Sequence, residues 1–98
     1  MRILHTRIFK NDIKRLHPNQ KAAVDGAVRS VVSDPEVGEA KVGDLARVRV
    51  YKFRVVGQLV LLAYAWREAD DTLVLLALGS HENFYRDLNL TLSILGRG

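Results

Sequence analysis

The strongest constraint on folding lies in two apolar runs, "QLVLLAYAW" at residues 58–66 and "TLVLLAL" at 72–78, parted only by "READD". Neither alternates apolar and polar residues as a half-solvated strand does. Neither approaches the roughly 20 apolar residues of a membrane-spanning helix. Short, near-continuous apolar runs joined by a polar turn read as neighbouring strands buried on both faces. The pair therefore belongs at the centre of a sheet, with helices expected over one face and a partner over the other. The three strands of this half are expected at about 46–54, 58–66 and 73–79, with Gly57-Gln58 and "EADDT" as the turns.

The residues ahead of them supply the helices. Residues 2–9 read as a first strand. In "FKNDIKRL", Phe9, Ile13 and Leu16 recur at helical spacing. Pro18 opens a second helix, where a missing N–H costs nothing. Val24, Ala27, Val28, Val31 and Val32 form its apolar stripe, and Asp34-Pro35 ends it. "DPEVGEAKVGDL" is a loop rich in turn residues. At the far end Phe84, Leu88, Leu92 and Leu95 share one face of a helix. The order is β-α-α-β-β-β-α. It describes an α+β chain whose two N-terminal helices pack on one face of a small, mostly antiparallel sheet, with a further helix at the C-terminus. Without repeats or linkers, residues 1–98 are expected to form a single domain.

Composition narrows the chemistry. Without cysteine there is no disulfide, zinc-thiolate site or thiol nucleophile. His5, His17 and His81 are too scattered for a histidine metal site, so neither metal nor cofactor is expected. "MRILHTRIFK" does not resemble a secretory signal, which points to a cytoplasmic protein with no membrane association. The net charge is +4, and between Lys41 and Arg54 five cations (Lys41, Arg47, Arg49, Lys52, Arg54) face one acid, Asp44. That segment alone carries 5 − 1 = +4, and the rest of the chain balances. Charge gathered in this way is the footprint of a polyanion binder or of an acidic protein partner.

"LALGSHENFYRDL", residues 76–88, holds the reactive residue types. Ser80 suits a helix N-cap, and Phe84 and Leu88 suffice to dock that helix. His81 and Tyr85 are not needed for the junction, and four residues apart they share a helix face. Histidine suits acid–base work near neutrality. On the strand at 46–54, alternation puts Arg47 and Arg49 with Tyr51 and Phe53, and Lys52 and Arg54 with Val48 and Val50. Tyr51 and Tyr64 read as sheet packing.

The DP-x-x-G loop leading into "KVGDLARVRVYKFR", then "LLAY", then "LGSHENFYRDL" resembles the RelE/ParE superfamily of bacterial type II toxins, from about residue 9 to 88. The resemblance implies a small basic toxin neutralised by a cognate antitoxin. Most RelE-like members cleave messenger RNA on the ribosome without metal, whereas ParE members poison DNA gyrase. By this likeness His81 would act as general acid or base and Tyr85 would orient substrate. Lys52 and Arg54 would bind the reacting phosphate, with Lys41, Arg47 and Arg49 as further RNA or phosphate contacts. One departure stands out: many such RNases carry an arginine on the third strand before its tyrosine, and Leu59 to Ala63 supplies none.

Overall fold

The computed structural model describes residues 1–40 and 47–80. The elements run β1 (Arg2–His5), α1 (Arg7–Lys14), α2 (Pro18–Ser33), β2 (Glu39–Ala40), β3 (Arg49–Val55), β4 (Gln58–Arg67) and β5 (Thr72–Gly79). The strands form one sheet ordered β1-β5-β4-β3-β2, antiparallel at every pairing except β1 with β5. This is the expected α+β arrangement as far as β5. The expected C-terminal helix lies outside the described residues.

Local chemistry sets the boundaries. The first strand stops at His5 rather than residue 9 because Thr6 caps α1, its Oγ1 accepting the Phe9 N–H at 3.0 Å. Pro18 opens α2, and Gln20 Oε1 reaches back to accept the His17 N–H at 2.9 Å. β2, read from sequence as loop, is a two-residue strand paired with Val50 and Arg49.

The sheet has two buried faces. On one, Phe9 of α1 and Val24, Ala27 and Val31 of α2 meet Leu62, Tyr64, Leu73, Leu75 and Leu78. On the other, Val48, Val50, Leu61, Ala63, Leu76 and Ala77 form a second cluster, with Ile8 packed against it. A partner is expected over this second face from the sequence, but its side chains are already buried within the single chain, so their burial does not require one. Both faces therefore gain hydrophobic stabilisation from folding alone. A bulge interrupts the β4–β5 ladder: Ala63 pairs with Ala77 but Tyr64 with Leu75, leaving Leu76 as the extra residue.

Tyr64 ties the loop after α2 to the sheet. Its hydroxyl accepts the Gly38 N–H and donates to the Pro35 carbonyl, each at 2.8 Å. The approach requires glycine, because a Cβ at position 38 would lie 2.6 Å from the phenol oxygen. Burial pushes the phenol above its ordinary value of 10.0, against the opposing pull of the Gly38 hydrogen bond and the Arg49 charge. A raised folded value stabilises the protein below pH 10, and that contribution is lost as pH climbs through the folded value. Tyr64→Phe strands the Gly38 N–H and is expected to cost about 1–3 kcal/mol at neutral pH. In denaturant titrations the gap between wild type and variant should narrow above pH 10. A constant gap to pH 11 would contradict this account.

The β3–β4 turn is strained. Val56 has φ 50 and Gly57 φ 79, the paired positive angles of a two-residue hairpin turn that favours Asn-Gly. A β-branched residue there is an outlier, and Val56 is 87% exposed, so no burial offsets the strain. Val56→Asn should stabilise by about 1 kcal/mol, or roughly 4–8 °C in Tm. An unchanged or lower Tm on thermal melting would refute the assignment of strain.

Candidate functional site

Strand β3 sorts its cations by alternation, as its sequence implies. Arg49, Tyr51 and Phe53 lie on the helix-covered face, where the two rings stack with centroids 6.1 Å apart. Val48 and Val50 point into the second cluster. Lys52 and Arg54 follow on that same side but stand exposed beyond its rim. Arg54 Nη1 donates to the Gly57 carbonyl at 3.1 Å, which holds the guanidinium at the turn. Among the described residues neither cation has an acidic partner.

Sheet register relates these cations to the end of β5. Lys52 pairs with Leu61, and Leu61 pairs with Gly79. The three form one row on one face, spanning two strand spacings, about 10 Å. Arg54, opposite Leu59, lies one residue pair beyond on the same face. The chain thus leaves β5 at Gly79-Ser80 beside Lys52 and Arg54. His81 is the next residue, and it, Tyr85 and Lys41 lie outside the described residues.

The remaining two arginines sit elsewhere. Arg49 is half-buried, and its Nη1 donates to the carbonyls of Glu36 at 3.0 Å and Gly38 at 2.8 Å. It fastens the same loop that Tyr64 holds. Arg47 is exposed at the other end of the hairpin, lining a cleft of about 490 Å³ with Arg49, Trp66, Arg67 and Glu68. Arg67 pairs with Asp70 at 3.3 Å. Along a strand, Arg49 and Arg54 are separated by about 16 Å, so the cations form two groups rather than one.

A smaller cavity of about 250 Å³ opens on the helix side of the sheet at the β5 exit. Arg15, Gln20, Gln58 and Ser80 line it, a set the sequence reading did not assemble. No spacing along the sequence announces it, because α2 and the start of β4 meet only in the folded chain. Among the described residues no group of three or more His, Cys, Asp or Glu is placed to hold a metal ion. No described helix is long and apolar enough to cross a membrane.

Several solved structures share this architecture. A mutant of the E. coli toxin RelE in the free state superposes with TM-score 0.73 at 11% identity, covering 96% of this chain and 95% of that one. The RelBE2 toxin–antitoxin complex of Mycobacterium tuberculosis gives 0.69 at 22% identity, with coverage of 82% and 96%. The YoeB/ParE toxin of Agrobacterium tumefaciens gives 0.67 at 17% identity, with coverage of 83% and 99%. No curated protein sequence matches significantly. These likenesses establish the fold. The sequence model of the ParE-like toxin of type II bacterial toxin–antitoxin systems matches residues 3–89, and the chain belongs to that family of the RelE/ParE superfamily.

Proposed function

We propose that this toxin is a metal-independent endoribonuclease that cuts messenger RNA on the ribosome and is neutralised by a cognate antitoxin. The observation that supports it best is the row Lys52–Leu61–Gly79, with Arg54 one pair further along, which sets two cations without an acidic partner among the described residues on the face where β5 ends, before His81 and Tyr85. RNA cleavage without metal needs a base for the 2′-OH, an acid for the leaving 5′ oxygen and cations for the crowded phosphate. In this reading Lys52 and Arg54 hold the phosphate, His81 exchanges the proton and Tyr85 orients the substrate. Arg47 and Lys41 contact flanking phosphates. Arg49 contacts a further phosphate through its remaining N–H groups, since among the described residues only Nη1 is bound, to the Glu36 and Gly38 carbonyls. The antitoxin would be an acidic protein matched to the same basic hairpin. Structures of relatives contain toxin and antitoxin together, among them the intact E. coli RelBE complex.

A second reading, inhibition of DNA gyrase without nuclease activity, draws on β4. From Gln58 to Trp66 that strand has no cation, so an arginine used by many related RNases has no counterpart there.

Induced expression separates the two. Wild type should arrest growth and produce new transcript 5′ ends. A charge-assisted contact contributes about 1.5–3 kcal/mol, so Lys52→Ala and Arg54→Ala should each reduce cleavage about ten- to hundred-fold, with the melting temperature retained. Growth arrest without new 5′ ends, together with loss of supercoiling in a purified gyrase assay, would establish the second reading and exclude the first.

A further inference from the structure

We propose that the cavity at the β5 exit holds one nucleobase of the RNA beside the cut and sets base preference there, an inference that rests on the nuclease reading. About 250 Å³ is below the roughly 300–1,000 Å³ of sites for drug-sized ligands and suits a single ring system. Leu16, Leu59 and Val60 supply apolar wall for the faces of a flat ring. Polar groups gather at its mouth. Arg15, Gln58 and Ser80 have no side-chain partner among the described residues. The Gln20 carboxamide is oriented, since its Oε1 accepts the His17 N–H, and its NH2 group is left to donate. Asp12 also lines the cavity, with Oδ2 accepting the Leu78 N–H at 3.0 Å.

An apolar slot with amide groups along its edge is how proteins read unstacked bases in single-stranded RNA. The location fits a base next to the reacting phosphate. Ser80 lines the cavity and immediately precedes His81, and Gln58 and Leu59 place it at the end of the sheet where the β3–β4 hairpin turns. A nucleotide with its base in the cavity has Arg15 of the lining for its own phosphate, while Arg54 stands across the end of the sheet on the opposite face.

Gln20→Glu separates recognition from stability. It keeps the oxygen that accepts the His17 N–H, at a helix position that favours Glu, and removes the donor NH2. Gln58→Ala serves as a second variant, since that exposed side chain has no partner to lose. AMP, CMP, GMP and UMP are titrated into the isotope-labelled full chain, following the Gln20 and Gln58 side-chain amides by NMR. Cut sites are mapped by sequencing RNA 5′ ends. At least one nucleotide should shift both amides in wild type, with binding at least ten-fold weaker in Gln20→Glu. Base preference at the cut should fall about ten-fold in both variants while the melting temperature holds. If wild type binds a nucleotide here yet cleaves no RNA, the nuclease reading fails and the nucleobase site stands. Unshifted amides with all four nucleotides would overturn the proposal, as would unchanged base preference in the variants. Amides that move only when a purified antitoxin is added would also overturn it, marking a protein-docking site instead.

Discussion

One hydroxyl joins the strand and helix halves of the chain. Thr6 donates its N–H to the Leu75 carbonyl at 3.0 Å, extending the parallel β1–β5 ladder by one step. Its Oγ1 accepts the Phe9 N–H to begin α1 and donates to the Leu76 carbonyl at 2.6 Å. Further along, Asp12 accepts the Leu78 N–H. Beyond the end of β1, side chains of α1 thus take over the hydrogen bonds of the exposed β5 edge, which would otherwise leave buried polar groups unpaired. The helix also carries Phe9 into the core, so edge closure and core packing are one event.

The placement of the site follows from that docking. The Leu76 bulge lies where Thr6 and Asp12 grip β5, and it shifts the alternation by one residue. Leu75 and Leu78 both face the helices, while Ala77 and Gly79 fall on the opposite face with Lys52. Without the extra residue, Gly79 would not share that face. Because the second face is buried within the chain itself, the long apolar strands need no partner to account for them. The case for an acidic partner therefore draws on the hairpin cations and on the relatives' complexes, not on the apolar strands.

What could be read from the sequence is what periodicity encodes. The α2 stripe of Val24, Ala27 and Val31, the doubly buried β4 and β5, and the division of Arg49 from Lys52 and Arg54 all follow from the spacing of residues along one segment. The bulge was invisible for a complementary reason: "LVLLAL" is apolar throughout, so it has no alternation to fall out of phase. Tyr64 read as sheet packing, and it is, but its hydrogen bonds to Gly38 and Pro35 join residues 26 and 29 positions away. Arg49 read as a phosphate contact, and its second task of holding the loop was hidden, because a strand pattern says which face a cation is on, not which carbonyls a distant loop brings to it. The cavity at Gln20 and Gln58 was hidden likewise, since only the fold brings an α2 residue to the start of β4.

Counting cations would place the positive pole of the protein at the wrong end of the sheet. Three arginines, Arg47, Arg49 and Arg67, line the cleft at the start of β3, against Lys52 and Arg54 at the other end. Yet Arg67 is paired with Asp70, Arg49 Nη1 is bound to two carbonyls, and Glu68 lines the same cleft. A phosphate arriving there would meet the Glu68 carboxylate among the cations, with Asp70 held on Arg67. At the hairpin end Lys52 and Arg54 face solvent without an acidic partner among the described residues, while Arg15, the C-cap of α1, lines the helix-side cavity together with Asp12. Interactions between exposed charges are largely screened beyond about 8–10 Å at physiological salt, so the two ends, about 16 Å apart, act independently. Under the proposed function, the end from which the chain continues into His81 is the one whose strand cations meet no carboxylate among the described residues.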